Sequence, residues 1–184
     1  MPVKTVQDLF VDELRDIYHA EKQILKALPK MAKSAQHPEL RQAFEQHLEQ
    51  TRGQVERLEQ VFDQLDVAKR GKRCEAMEGL LEEARSTMEE IEDNSVLDVG
   101  MIINAQKVEH YEIAGYGSLV ALANQLGLKD AAQLLEQTLS EEKEADRKLN
   151  EVALRVANPS AREGRMRDPD QAGGKSGKGA AART

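Results

Sequence analysis

The sequence lacks several features that would assign a protein to a broad class. It has one cysteine, Cys74, and no tryptophan. A lone cysteine excludes an internal disulfide framework and is typical of a reducing compartment. No apolar run approaches the roughly 20 residues of a membrane-spanning helix. The first ten residues, MPVKTVQDLF, lack the basic and apolar regions of a signal peptide. We therefore expect a cytoplasmic protein with no membrane partner.

Aromatic residues are also scarce, at 3% of the 184 residues, whereas charged residues make up 32%. Good helix formers are frequent, and they favour long helices. The net charge of −7 argues against nucleic acid as a partner of the whole chain. The length suits one domain with a sizeable core. Composition therefore predicts a single all-α domain.

Apolar residues recur at helical spacing in five stretches. We expect one helix from about residue 5 to beyond 28, and others over about 38–65, 77–91, 96–126 and 129–157. The first two and the last two long helices form hairpins, and roughly thirty residues separate the hairpins. The pattern predicts a four-helix bundle with a long crossover that contains a short fifth helix.

Residues near the helix ends indicate where the helices begin and stop. Thr5 with Asp8, and Ser95 with Asp98, have the spacing of capping pairs. Gly127 is suited to end a helix, because glycine readily adopts the left-handed conformation found there.

The C-terminal residues differ in composition from the rest. Asn158-Pro159 is expected to stop the last helix, and the residues beyond it are rich in Gly, Ala and Lys. We therefore divide the chain into a bundle over 1–157 and a flexible basic tail over 158–184. Any contact with nucleic acid would be weak and confined to phosphate contacts of this tail.

Three of the four long helices carry a glutamate in the middle of their apolar face. These are Glu21, Glu109 and Glu142. Because burial of a lone charge costs several kcal/mol, a single such residue would be read as a boundary residue that reaches solvent. Counted from the turns, however, the glutamates and Thr51 of the second helix share a layer within each hairpin.

Carboxylates that converge in an apolar core stay protonated, pair with a buried cation or bind metal. No lysine or arginine occupies the centre of an apolar stripe. Oxygen ligands from facing helices build di-iron and di-manganese sites, so we favour metal. Glu112 and Asp146 each lie one turn beyond a central glutamate and are expected to join the site.

Five segments of the sequence resemble a known protein family, and the resemblance covers residues 3–157. They are AEKQ, HLEQTRGQVERLEQVF, CEAMEGLLEEA, QKVEHYEIAGYGSL and LSEEKEADRKL. In this order they closely resemble the YciE/YciF-type stress-induced proteins of bacteria. The resemblance implies a ferritin-like, rubrerythrin-like bundle, a homodimer, a role in stress responses and a di-iron centre without an established reaction.

The ferritin-like ligand pattern is only partly kept. The residues that match it are Glu21, Glu109, Glu112 and Glu142. The family pattern has Glu-x-x-His on both the second and the fourth helix. Thr51-x-x-Gln54 stands in place of the first of these motifs, which leaves the amide oxygen of Gln54 as a weak metal ligand. On the fourth helix Ala145 stands where the histidine would be, with Asp146 beside it. His47, one turn before Thr51, is a further nitrogen donor in displaced geometry.

A second candidate for the second-helix motif is Glu49-x-x-Arg52, but Glu49 lies about 140° from the centre of the stripe. We therefore prefer Thr51 and Gln54 on the phase of the helix. The predicted ligand set is Glu21, Gln54, Glu109, Glu112, Glu142 and Asp146.

Two functions follow from this ligand set. One is a redox enzyme with two iron (or manganese) ions per chain that reacts with peroxide or oxygen, or oxidises ferrous iron. The other is a non-enzymatic dimeric bundle whose eroded site contributes little and which acts through protein interactions.

Overall fold

The computed structural model describes residues 3–165, and these residues form helices and connecting turns without strands. The helices are α1 (Val6–Ser34), α2 (Pro38–Gln64), α3 (Glu75–Glu90), α4 (Asn94–Gln125), α5 (Lys129–Val152) and α6 (Asn158–Arg165), with a π-helical turn (Ala153–Ala157) between α5 and α6. The expectation of an all-α protein is confirmed.

Four long helices form the bundle. Helix α1 packs against α2 and α4, and α5 packs against the same two helices from the other side. Ile17 lies beside Gly115, while Gln36 lies beside Asp98, so α1 and α4 run in opposite directions. Helix α3 packs outside the bundle on α4 and α1. The prediction of a ferritin-like bundle with a helix in its crossover is therefore confirmed.

Of the three predicted capping positions, at Thr5, Ser95 and Gly127, two are confirmed and one is wrong. Thr5 and Asp8 form the reciprocal hydrogen bonds of a capping box, and Gly127 adopts a φ of 73° after α4. Helix α4 is capped by Asp93 rather than Ser95. Asp98 instead accepts hydrogen bonds from the backbone N–H groups of residues 36 and 37 in the α1–α2 turn, at 2.9 and 2.8 Å.

Helix α4 is buried on more than one face because three helices surround it. It contacts α1 and α5 inside the bundle and α3 outside. The contact with α3 is close at Gly100, where a Cβ would lie 2.8 Å from side-chain atoms of Ile91 and Thr87. Only a row that includes Lys107 and His110 is exposed along α4, and the polar residues at positions 104, 109 and 112 lie inside the protein.

The predicted stop at Asn158-Pro159 is wrong. The chain continues through a π-helical turn into α6, which packs against α4. An α-helical turn at this point would bring the ring of Pro159 against the carbonyl group of Arg155, and the wider π turn directly precedes the proline. Residues 158–165 of the predicted tail are thus helical, and residues 166–184 lie outside the described range.

The core has two apolar parts separated by a polar layer. One part lies towards the α1–α2 turn and includes Ile24, Phe44 and Met101. The other lies towards the opposite end and includes Phe10, Phe62 and Leu135. Between them lie buried polar side chains from all four bundle helices: Glu21, His47, Thr51, Gln54, Glu109, Glu112 and Glu142. This layer is where the structure places most of the predicted ligands.

We expect Asp98→Ala to lower the free energy of unfolding by about 2–3 kcal/mol, because two N–H groups of the α1–α2 turn lose a buried, charged acceptor. Urea denaturation measures the change. Glu45→Ala, at an exposed position of α2, is the matched control and should change the value by less than about 0.5 kcal/mol. An Asp98→Ala variant as stable as its control would contradict the assigned role.

Candidate metal centre

Four buried side chains from three helices converge in the polar layer. Helix α2 provides His47, α4 provides Glu109 and Glu112, and α5 provides Glu142. One ligand atom of each lies within 4.8 Å of those of the other three. The helical spacing explains the pair on α4, because residues three apart lie on adjacent parts of one face. The cluster therefore has one nitrogen and three carboxylate groups around a common centre.

The imidazole of His47 faces two of these carboxylates. Its Nε2 atom lies 3.5 Å from Oε1 of Glu109 and 3.9 Å from Oε2 of Glu142. The hydroxyl of Thr51, one turn later, donates a hydrogen bond to the backbone carbonyl of His47 at 2.8 Å. Thr51 therefore lies at the predicted level, but it binds its own helix rather than the carboxylates.

Glu21 extends the cluster towards α1. It is fully buried, and the hydroxyl of Tyr116 donates a hydrogen bond to its Oε1. Burial and then the charge of Glu21 raise the pKa of Glu112, so the two carboxyl groups are near neighbours. The structure thus brings four of the predicted glutamates into one layer.

Gln54 lies beside the cluster and contacts Glu142. Its amide NH₂ donates to Oε1 of Glu142, and to Glu141 at 3.2 Å. Arg57, one turn further along α2, donates to both carboxylate oxygens of Glu141 at 2.7 Å and to Thr138 at 2.6 Å. These contacts fix α2 against α5 at the level of the site. The amide nitrogen of Gln54 thus faces Glu142, whereas its oxygen has no hydrogen-bond partner among the described residues.

Asp146 is not brought into the cluster. Its Oδ1 atom lies 3.3 Å from Nε2 of His110 and accepts a hydrogen bond from Gln106 at 3.2 Å. Its side chain is 26% exposed. The alternative motif residue Glu49 is at the surface, where it pairs with Arg52. The choice of Thr51 and Gln54 over Glu49 on helical phase therefore agrees with the structure.

The buried polar atoms of this layer lack partners to an unusual degree. Nine buried side-chain nitrogen and oxygen atoms of the described residues have no hydrogen-bond partner, and eight of them belong to this layer. They are contributed by Glu21, His47, Gln54, Glu109, Glu112 and Glu142. Buried polar groups are almost always satisfied, and each exception needs a reason. Oxygen and imidazole nitrogen atoms that point at a common centre are the ligands of divalent metals, so this donor set fits a metal.

Without a cation the site opposes ionisation. Burial raises the pKa of Glu109 well above its usual range, and the charge of Glu142 raises it further. Burial likewise raises the pKa of Glu112, with added repulsion from Glu21, Glu142 and Glu109. The pKa of Glu21 is raised by burial and by Glu142, against the hydrogen bond from Tyr116 and the charge of Arg57. A bound cation reverses this balance because it favours the ionised carboxylates.

The sequence pattern misjudged the inner face of α2. Leu48 and Val55 belong by spacing to the apolar residues that recur along α2, yet both are only half-buried, whereas His47 and Gln54 are buried. The helix is therefore turned so that His47 points inwards. One signal for this rotation was present in the sequence. Positions 47, 51 and 54 have the i, i+4, i+7 spacing of one helix face, although all three residues are polar.

Residues 5–162 match the family described as a domain of unknown function, DUF892. The chain belongs to this family. It is 49% identical over 162 residues to Protein YciF of Escherichia coli strain K12, a match that covers 88% of this chain and 98% of YciF. The resemblance inferred from the five sequence segments is therefore confirmed.

Solved structures of two similar proteins and of a more distant one share the fold. The E. coli stress protein YciF has a TM-score of 0.80 at 46% identity, covering 88% of this chain and 99% of YciF. YcfI of Rhodopseudomonas palustris has a TM-score of 0.79 at 50% identity, covering 80% of this chain and 94% of YcfI. A two-domain protein from Anabaena variabilis that contains a ferritin-like domain matches at 16% identity with a TM-score of 0.53, covering 97% of this chain and 42% of that protein. This last match shows the fold alone.

No helix between residues 3 and 165 combines sufficient length with sufficient apolar character to span a bilayer.

We expect the metal-free protein to lose stability as the pH rises from 5 to 8, in part through Glu112. The pKa of this carboxyl is raised in the fold by burial and by its neighbours' charges. Above its unfolded pKa the fold therefore binds more protons than the unfolded chain, and the free energy of unfolding falls with pH. Glu112→Gln, which stays neutral, should reduce this loss, so that its advantage over wild type grows with pH.

Urea denaturation of the metal-free variants at several pH values measures this difference. Glu56→Gln, at an exposed position of α2, is the control and should follow the wild-type profile. If the Glu112→Gln and wild-type profiles run parallel between pH 5 and 8, the carboxyl of Glu112 does not hold its proton as described.

Proposed function

We propose that this chain is a stress protein that binds two iron ions, or manganese in their place, in the polar layer and uses them in reactions with peroxide or oxygen. The observation that carries the proposal is the set of eight unpartnered buried atoms at one level of the bundle. The stress role rests on similarity to YciF, whose solved structure is described as that of a stress protein.

The metal ligands in this proposal come from the polar layer. His47, Glu109, Glu112 and Glu142 would hold one ion, and Glu21 and Glu112 would contribute carboxylate ligands to the second. Carboxylates from facing helices are the usual means of holding a pair of such ions. Ferrous ions, when bound, supply the two electrons that reduce a peroxide.

Side chains around the ligands orient them. Tyr116 donates a hydrogen bond to Glu21, and Gln54 donates one to Glu142. Arg57 holds Glu141, which accepts the second hydrogen bond of Gln54. Such outer contacts fix the direction of a ligand's free oxygen and raise metal affinity. The ligating carboxyl groups must release their protons when metal binds, so affinity should rise with pH.

Location and assembly are part of the same proposal. The single buried thiol of Cys74 suits a reducing compartment, and we propose that the protein acts in the cytoplasm as a homodimer. The competing function is a metal-free bundle that acts through protein interactions. Metal content separates the two functions, because the eight unpartnered atoms have no role in the second.

We expect the purified protein to contain about two iron or manganese ions per chain, and Glu109→Gln or Glu142→Gln to hold less than about one. Elemental analysis of anaerobically prepared protein measures the content. Glu144→Gln is the matched control, because it changes an exposed residue of α5, the helix that carries Glu142. This variant should keep both ions. Asp146→Asn tests the remaining predicted ligand, and full retention of metal would remove Asp146 from the set.

Wild-type protein that folds, stays metal-free after exposure to ferrous and manganous ions, and still supports stress survival would overturn the metal proposal in favour of the interaction protein.

We further expect protein loaded with ferrous iron to consume hydrogen peroxide at least about tenfold faster than Glu112→Gln, because loss of one carboxylate weakens the site. Stopped-flow absorbance follows iron oxidation while a peroxide assay follows consumption. Equal rates for wild type, Glu112→Gln and free ferrous iron would rule out peroxide chemistry at this centre.

A further inference from the structure

A cavity of about 270 Å³ lies between the bundle helices and reaches the candidate metal centre. His47 and Glu109 line its inner end. Its opposite end carries charged residues of α5. The cavity occupies the half of the bundle nearer the α1–α2 turn, where the apolar core would otherwise be continuous. It therefore leads from the surface of α5 to the ligands.

The walls between these two ends are largely apolar. They are formed by side chains of four helices: Ile24, Leu28, Met31, Phe44, Leu81 and Val108. Cavities with apolar walls hydrate poorly, and transfer of a polar molecule into them costs free energy unless its hydrogen bonds are replaced. A path for hydrogen peroxide alone would not need such walls. The lining fits a molecule with an apolar body.

The size of the cavity limits that body. An apolar cavity of about 150 Å³ holds one benzene molecule, so by proportion 270 Å³ holds roughly ten carbon atoms. Four charged residues at the mouth, Glu144, Arg147, Lys148 and Glu151, sum to no net charge, and Arg147 already pairs with both glutamates. The mouth therefore does not select a charged ligand.

The inner end of the cavity, in contrast, favours a ligand that presents a polar atom to His47. His47 is 6% exposed, and neither ring nitrogen has a hydrogen-bond partner among residues 3–165. It lines the cavity beside Glu109. A ligand with a single oxygenated end could bind this histidine or the adjacent ions while its carbon body fills the apolar walls. The cavity thus fits a neutral molecule with an apolar body and one oxygen-containing end.

Resting on the proposed function, we infer that the peroxide for which this centre is built is an organic hydroperoxide of up to about ten carbon atoms. Its apolar group lies along α1 and α2, and its hydroperoxide group reaches His47 and Glu109. In the reaction the O–O bond of the hydroperoxide breaks, and two electrons and two protons convert it to an alcohol and water. The two electrons are those that a pair of ferrous ions supplies on becoming ferric.

Binding is tested first, without turnover, on the metal-free protein. Cumyl alcohol is the probe, because it is the product of cumene hydroperoxide and has nine carbons. We expect saturable binding by isothermal titration calorimetry, weakened at least tenfold by Ala43→Phe and by Ala27→Phe, each of which fills the cavity from a half-buried wall position. Ala121→Phe, at an exposed position of α4, is the control and should bind like wild type.

Two results would overturn the inference at this stage. One is the absence of binding to folded wild-type protein, with folding checked by circular dichroism. The other is binding that neither cavity-filling variant weakens, since the probe would then lie elsewhere. The two independent variants keep the test decisive if one of them fails to fold.

Turnover separates the inference from the function on which it rests. With ferrous-loaded protein, Ala43→Phe should slow consumption of cumene hydroperoxide at least tenfold while changing that of hydrogen peroxide less than threefold. If wild type consumes hydrogen peroxide but not cumene hydroperoxide, the inference fails and the proposed function stands. If it consumes neither, the proposed function fails, and the binding result alone decides what the cavity accepts.

Discussion

The exclusion of water from a group of carboxyl side chains is the constraint on which the rest of this structure depends. Glu21, Glu109, Glu112 and Glu142 lie in a buried layer between the two apolar parts of the core. Within residues 3–165 these buried carboxyl groups have no lysine or arginine in direct contact to stabilise a negative charge. The layer therefore either keeps its protons or binds a cation, and the two states differ in whether the carboxyl groups of α1, α4 and α5 are ionised.

This constraint explains the residues that surround the layer. Tyr116 and Gln54 each direct a hydrogen-bond donor at one glutamate and leave the second oxygen of that glutamate free. Arg57 places a positive charge near the layer while remaining paired with Glu141, so it offsets part of the repulsion without occupying the centre. A core built for stability alone would have apolar residues here, since replacing buried ionic groups by apolar ones is often neutral or stabilising.

The fold is suited to maintain this layer. The helices that supply most donors, α4 and α5, are consecutive and form one hairpin, so the register of Glu109, Glu112 and Glu142 depends mainly on the turn at Gly127. The donors from α1 and α2 are positioned separately, through the α1–α2 turn that Asp98 of α4 binds. Helix α3 packs on the outer side of α4 and excludes solvent from a face that would otherwise be exposed. The long crossover thus has a structural role for the site as well as for the topology.

Much of this could be predicted from local patterns. The five helical stretches, the capping box at Thr5, the glycine after α4 and the inward direction of Glu21, Glu109, Glu112 and Glu142 all follow from periodicities that a helix imposes on its own side chains. Other features depend on neighbouring elements. Helix α2 has a polar row that contains His47 next to an apolar row that contains Leu48. Packing against α1 and α5 decides which row is buried, and it turns His47 inwards and leaves Leu48 at the edge. Asp146 faces His110 rather than the glutamates, and the helix passes Pro159 through a wider turn. Sequence by itself determined the helices and the acidic level within each hairpin, since these are set by spacing along one chain segment. Only the tertiary structure decided which donors share a centre and where a cavity reaches them, because those distances depend on the rotation and separation of helices far apart in sequence.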